Sequence, residues 1–470
     1  MNLKGISFYL SLFCFPISIL ALINILYASY FDYFLSIDTY FSTLIISLIT
    51  GLGFFYFGKN SNRKINFIEQ LILVIAAYLL TSILIAIPFY LSSYQITFLN
   101  SVFESISGVT GTGFSIFKDI KYLDPTLILW RSSSQWIGGL FFLFFLIIIF
   151  SNKSFNYKMT NLTFSGENNF NSKENIKDNI LKIFIFYSVL SIIILSLLSF
   201  SGVRLFNSLN LSMTIISGGG FLPTDNMHKI ILTNFQKIIL IFSLIISMLN
   251  FYLIFNLFNK NILFKEHKED LYLIILSFIF CVLIYFNNYD GLDIILSVVS
   301  SIANSGLTLM KSDGNLSLYF LLITIIGGSL ISNTSGIKLT RFYILLKITS
   351  LEIIKLISPN NIINKTIFNS DKKISDDNVK ISFLIFISFF LSLFILSSLL
   401  VVDDIGFEKS FKLSILTLTN TVNSEMFNMH NLNFDNLLTS SKISLILFMI
   451  IGKIELISIF LIFKKILFKD

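Results

Sequence analysis

Phe98–Val109 reads FLNSVFESISGV and runs directly into Thr110-Gly111-Thr112-Gly113. That apolar stretch is about half the roughly 20 residues a helix needs to cross a bilayer. A segment this short that enters a membrane must come back as irregular backbone. Such backbone is tolerated at membrane depth only where it is buried in protein or lines a wet path. The pattern recurs. Leu205–Ile216, Leu292–Ala303 and Phe411–Leu418 are also short and apolar, and each is followed by small uncharged residues. Each sits between two longer apolar runs. The unit is therefore span, half-helix, polar return, span, repeated at Phe67–Phe150, Ile180–Leu257, Leu271–Leu346 and Ile381–Ile466. Repetition on this scale dictates the architecture.

Composition agrees. Of 470 residues, 54% are hydrophobic and 13% charged, where a soluble domain carries about 25% charged. Mean hydropathy is +0.81. The charges cannot coat a soluble surface of this size, so the excess apolar residues call for a bilayer. Ten apolar runs are long enough to cross it: Ile6–Ala28, Phe41–Phe57, Phe67–Leu91, Leu127–Phe150, Ile180–Phe200, Leu232–Leu257, Leu271–Phe286, Leu318–Leu346, Ile381–Val401 and Ile443–Ile466. The expected fold is an all-α integral membrane protein of ten transmembrane helices. Its parts are a two-helix segment over 1–66 and pore repeats over 67–156, 180–262, 270–348 and 380–470. Polar linkers at Ser151–Asp178 and Glu352–Lys380 interrupt the runs. Lys and Arg concentrate on the side that holds Lys59, Arg63 and both linkers, which places both termini in the cytoplasm.

Other classes fit poorly. The net charge of +7 is dispersed, so nucleic acid is not the partner. Cys14 and Cys281 lie inside apolar runs and read as core packing. His228, His267 and His430 are far apart, with no HExxH and no GxxxxGK[ST], so neither a metalloprotease nor an ATP-driven pump is indicated. The chain reads as a non-enzyme.

The returns align as Thr110-Gly111-Thr112-Gly113, Ser217-Gly218-Gly219-Gly220, Ala303-Asn304-Ser305-Gly306 and Asn420-Thr421-Val422-Asn423. None carries a charge. Four such segments around one axis offer backbone carbonyls, which replace the hydration shell of a monovalent cation. The half-helices would point their negative C-terminal ends at it. All sixteen residues are candidate ligands of a monovalent cation, and no covalently bound cofactor is expected.

The strings FESISGVTGTGF (Phe103–Phe114), LWRSSSQWIGGL (Leu129–Leu140), TIISGGGF (Thr214–Phe221), SSIANSGLT (Ser300–Thr308), IIGGSLISNTSGIKLTRF (Ile325–Phe342) and IGKIELISIF (Ile451–Phe460) resemble the Trk/Ktr/HKT superfamily of cation transporters, Trk branch. The resemblance runs from about Phe67 to Ile466, and the first two spans match the extra helices of the Trk branch. It implies potassium uptake at the bacterial inner membrane, a homodimer, and a cytosolic ring of nucleotide-binding regulatory subunits. It also implies that Gly113, Gly220 and Gly306 are filter glycines, with Asn423 standing where the fourth is expected. That departure leaves two alternatives open: a weakly selective K+/Na+ permease, or a folded subunit that does not conduct.

Two lysines fall within apolar runs. Lys338 follows the polar stretch Asn333-Thr334-Ser335-Gly336, which should unwind its span; the matching stretch in the family forms a gating loop below the filter. Lys453 occupies a position where the family usually has Arg. An ionised residue at mid-bilayer normally faces a cavity or a partner, so Gly336, Lys338 and Lys453 are the candidate gate. Glu104 and Glu455 are expected to pair with basic residues. Glu425 reads either as a cation attractor at the outer mouth or as a solvated loop acid. Arg131 with Trp130 and Trp136 reads as an interfacial anchor.

Overall fold

The first two helices meet through small residues. In a computed structural model, α1 (Leu3–Tyr30) and α2 (Ile37–Gly58) form a hairpin in which Gly51 lies against Cys14 and Gly58 against Phe8. A side chain at position 58 would lie 2.5 Å from the Phe8 backbone nitrogen, so only glycine allows that approach. The structure describes residues 2–33, 36–61, 65–150, 176–251, 253–254, 268–286, 289–312, 314–358, 365–368, 373–430 and 432–454.

Four units follow. The first comprises α3 (Phe67–Leu91), the half-helix α4 (Phe98–Thr110) and α5 (Pro125–Phe150). The second comprises α6 (Ile176–Phe200), the half-helix α7 (Leu205–Ile216) and α8 (Asn234–Met248). In the third, α9 (Lys268–Tyr285) and the half-helix α10 (Gly291–Ile302) precede α11 (Gly314–Ile326) and α12 (Leu339–Ile357). The fourth holds α13 (Asp376–Val402), the half-helix α14 (Phe407–Leu418) and α15 (Thr439–Ile454). The half-helices have 12 or 13 residues. At 1.5 Å per residue that is about 18–20 Å, short of the roughly 30 Å hydrocarbon core.

Among the described residues, five helices are long and apolar enough to cross a membrane: Leu3–Tyr30, Ile37–Gly58, Ile68–Leu91, Ile180–Phe200 and Asp376–Val402. Two runs expected as single spans are broken. Leu318–Leu346 splits into α11 and α12 around residues 327–338, the unwinding anticipated from its polar centre. Leu232–Leu257 stops at Met248, which apolarity did not reveal. There, Ser329 N–H donates to the Met248 carbonyl (3.1 Å) and Phe251 N–H to the Ile331 carbonyl (2.8 Å), so the third unit's loop is wedged into the break. Most of the linker Ser151–Asp178, and Ile443–Ile466 beyond Ile454, lie outside the described residues.

Serine and threonine hydroxyls inside the spans are satisfied locally, as in Thr43 to the Thr39 carbonyl (2.8 Å) and Ser191 to the Tyr187 carbonyl (2.8 Å). This keeps polar residues affordable in an apolar helix. The units pack in chain order around an axis: α5 meets α7, α8 meets α10, α11 meets α14, and α15 returns to α4. Polar ties mark the seams. Lys237 pairs with Asp293 (2.6 Å), Ser312 Oγ donates to the Met426 carbonyl (2.5 Å), and Lys442 Nζ donates to Asn100 Oδ1 (2.8 Å). Unit two therefore faces unit four across the axis.

Candidate ion pathway

The half-helices end at Thr110, Ile216, Ile302 and Leu418, each at the start of its return. One residue at a matching place in each return adopts the left-handed backbone, Gly111 (φ +81°), Gly218 (+68°), Asn304 (+55°) and Asn420 (+48°), and Gly113 (+80°) and Gly306 (+70°) adopt it as well. In all four, that residue's N–H bonds the carbonyl three positions back, at Gly108, Ile215, Ser301 and Thr417 (2.9–3.2 Å). These four positions are therefore equivalent. The equivalence corrects the alignment of the fourth return by one residue: it is Thr419-Asn420-Thr421-Val422. Val422, not Asn423, takes the place of Gly113, Gly220 and Gly306. Asn423 lies one step beyond, where its Nδ2 donates to the Met429 carbonyl (3.2 Å). Glycine and asparagine are the residues that best tolerate this backbone, so matching Asn420 to Asn304 would have set the register from sequence.

Side chains behind the returns hold them. Asn304 Nδ2 donates to the Thr324 carbonyl (3.0 Å) and Thr421 Oγ1 (3.2 Å). Asn420 Nδ2 donates to Thr112 Oγ1 (2.9 Å) and the Met449 carbonyl (2.9 Å). Gln135 Oε1 accepts from Phe221 N–H (3.2 Å) and packs flat on Gly219, where a side chain would come within 2.4 Å of it. Thr110, Thr112, Ser305 and Thr421 are buried. Beyond the ring lies a cavity of about 330 Å³ lined by Gly113, Gly220, Gly306 and Val422 together with Asn423, Glu425 and Arg131. The ring thus opens onto this cavity.

On the far side, residues 327–338 form a loop whose bends rest on Gly327 (φ +69°) and Gly336 (φ +82°). Side chains there would strike the Ser335 carbonyl (2.3 Å) and the Ile325 carbonyl (2.8 Å). Both candidate gate lysines are buried, Lys338 at the end of this loop and Lys453 against it. Lys338 Nζ donates to Thr334 Oγ1 (2.9 Å) and the Ser332 carbonyl (3.3 Å), and also to the Thr334 carbonyl. Lys453 Nζ, from α15, donates to the Asn333 carbonyl (2.7 Å) and stands 4.9 Å from the centre of the Phe142 ring. It is 3.8 Å from where a side chain on Gly111 would begin, which puts its charge directly under the first return. Asn333 Nδ2 donates to the Ile216 carbonyl (2.8 Å), and Ser335 Oγ donates to Asn420 Oδ1 (2.9 Å), so the loop is tied to the second and fourth returns.

Family membership follows from comparison with known proteins. A family model described as TrkH, cation transport protein, matches residues 36–275, just over half of the chain. The chain belongs to the TrkH family of cation transport proteins. It is 26% identical to an uncharacterized cation transporter of Methanocaldococcus jannaschii over 91% of this chain and 90% of that one. It is 25% identical to the Trk system potassium uptake protein TrkG of Escherichia coli K12, covering 91% of each. Its fold matches the crystal structure of the potassium transporter TrkH from Vibrio parahaemolyticus with a TM-score of 0.86, at 18% identity and 98% coverage of both chains.

Within this TrkH-family frame, Glu104 pairs with a basic residue as expected, but its partner Arg131 sits where sequence reasoning did not put it. Arg131 is buried rather than interfacial, 1% exposed, and pairs with Glu104 (2.8 Å). Glu104 also accepts from Ser115 Oγ (3.1 Å) and Ile116 N–H (2.8 Å), and the guanidinium stacks 4.2 Å from the Phe221 ring centre. The pair braces the first return from behind. Trp130 and Trp136 are not interfacial anchors either: their indole N–H groups donate to the Ile85 carbonyl (3.0 Å) and Ser191 Oγ (2.8 Å). Each of these side chains falls in the first half of α5, where packing against neighbouring helices removes it from the lipid. Glu425 lines the cavity beyond the ring and faces Lys311 at 3.7 Å. Glu455 lies outside the described residues.

Glu269 and Asp270 were missed. Both are buried at the start of α9. Glu269 accepts from Ser329 Oγ (3.0 Å), Leu330 N–H (3.0 Å) and Thr340 Oγ1, while Asp270 accepts from Asn250 N–H (2.9 Å). Together they clamp the loop and the break after Met248. Two acids at a helix start read equally well as ordinary dipole partners, so only the loop's position exposes this role.

Proposed function

We propose that this chain is the pore-forming subunit of a potassium uptake system, multi-pass in the bacterial inner membrane with both termini cytoplasmic. The observation that carries the reading is the convergence of four half-helix C-termini and four uncharged returns on one axis, between an outer cavity and a loop held by Lys338 and Lys453. Carbonyl dipoles at that axis favour a cation and oppose an anion. The ion enters from the outer cavity, exchanges water for carbonyls at the returns, and passes inward when the loop of residues 327–338 moves aside. A buried ammonium beneath the first return raises the barrier for a cation, which suits a gate. Assembly as a homodimer on a cytosolic ring of nucleotide-binding subunits accords with the Trk resemblance.

Expression in cells lacking potassium uptake tests this. Growth at low potassium together with rubidium uptake is expected. Absence of both, with the protein present in the membrane, overturns it. A weakly selective K+/Na+ permease is the second reading, favoured by one observation: only three of the four equivalent filter positions are glycine.

A further inference from the structure

The fourth position of the ring bears a side chain, and that side chain lies across the axis. A β-carbon placed on Gly220 would be 2.6 Å from Val422 Cβ and 2.7 Å from its Cγ1. One placed on Gly306 would be 2.5 Å from Cγ1, and one on Gly113 would be 3.2 Å from Cγ2. The α-carbons of all three glycines thus turn toward a single isopropyl group. Gly306 and Gly113 belong to the units flanking the fourth, but Gly220 belongs to the unit opposite. Contact with the opposite unit requires the valine to reach past the centre. Immediately inward lie the small uncharged residues of the returns, among them the buried Thr112 and Thr421; outward lies the 330 Å³ cavity. An apolar constriction between two wet compartments closes by excluding water. Valine is branched at Cβ and stiff about χ1, so its rotation alone does not readily clear the path.

We infer that Val422 is an outer apolar seal of the ion path, the residue that limits entry of potassium-sized cations from the outer cavity into the carbonyl ring. The inference rests on the proposed function, permeation of a cation through this pore. The three glycines leave the room that the isopropyl group fills, so shrinking the fourth residue restores a four-glycine ring and enlarging it closes the ring further.

The test is rubidium flux into proteoliposomes carrying the full chain as wild type, Val422→Gly, Val422→Ala or Val422→Leu, at matched amounts of monodisperse protein. The expected order is Gly above Ala above wild type above Leu. The Gly variant should exceed wild type by about tenfold or more, the change that a barrier lowered by about 1.4 kcal/mol produces. A silent wild type with a conducting Val422→Gly also supports the seal. Equal flux in all four proteins, or a Gly variant below wild type while the Ala variant matches it, overturns the seal and leaves the proposed function standing. No flux in any of them overturns both together.

Discussion

Single residues here do their work by being buried and charged, or by lacking a side chain. Removing Arg131 leaves Glu104 as an uncompensated buried carboxylate, a loss of about 3–5 kcal/mol for a broken buried pair. Arg131→Met is expected to lower the thermal midpoint of the detergent-solubilised protein sharply, and Glu104→Gln in the same chain should recover part of it; a melting scan of the three proteins decides. Lys453→Ala removes the charge beneath the first return. Rubidium uptake should rise by about tenfold, equivalent to about 1.4 kcal/mol of barrier, and equal or lower uptake would count against a gating charge. Asn423, one step outside the ring, is expected to be a poor lever on selectivity. Its replacement by glycine should leave the rubidium-to-sodium flux ratio unmoved.

At the scale of elements, the proposed gate is the loop of residues 327–338. It is irregular, and it is held by a few polar contacts from α9, α15 and two returns rather than by apolar packing alone. Glu269→Gln weakens the clamp on Ser329, Leu330 and Thr340. A buried donor left without its partner costs about 1–3 kcal/mol, so faster amide exchange at residues 329–331 and higher basal rubidium leak are expected together. Faster exchange without leak would separate the clamp from the gate. At the cavity rim, Asp225 joins units one and two by accepting from Lys121 N–H (3.2 Å), and it also accepts from Lys229 Nζ (3.1 Å) of its own unit. Burial pushes its carboxyl up, but those donors outweigh burial and hold it below the ordinary carboxylate range. A folded-state value below the unfolded one, about 3.9, stabilises at higher pH and is lost as pH falls through the folded value. Exchange protection of this loop should therefore persist from neutral to mildly acidic pH and fall only in stronger acid.

At the scale of the whole molecule, the inside–outside assignment makes a direct prediction. In intact cells, a membrane-impermeant maleimide should label Lys229→Cys, whereas Lys355→Cys should react only after permeabilisation; both positions are exposed, at 54% and 42%. The reverse pattern would invert the topology. Much of the architecture was legible in the chain itself. Four short apolar stretches of about 10 residues each ended in uncharged small residues, and helix length against bilayer thickness left half-helices with returns as the economical solution. Asn333-Thr334-Ser335-Gly336 announced the broken span for the same reason, since polar backbone cannot stay in lipid. What the chain could not announce were relations between units. The break after Met248 exists because a loop some 80 residues later is wedged into it, and Arg131 is internal because Glu104 and Phe221 meet it there. The identity of the fourth ring residue is of the same kind. Local spelling favoured Asn423, while the left-handed backbone at Asn420 and the three glycines turned toward one isopropyl group select Val422. Hydrophobic length is a property of the sequence, whereas register around an axis is set only when four distant segments close on one another.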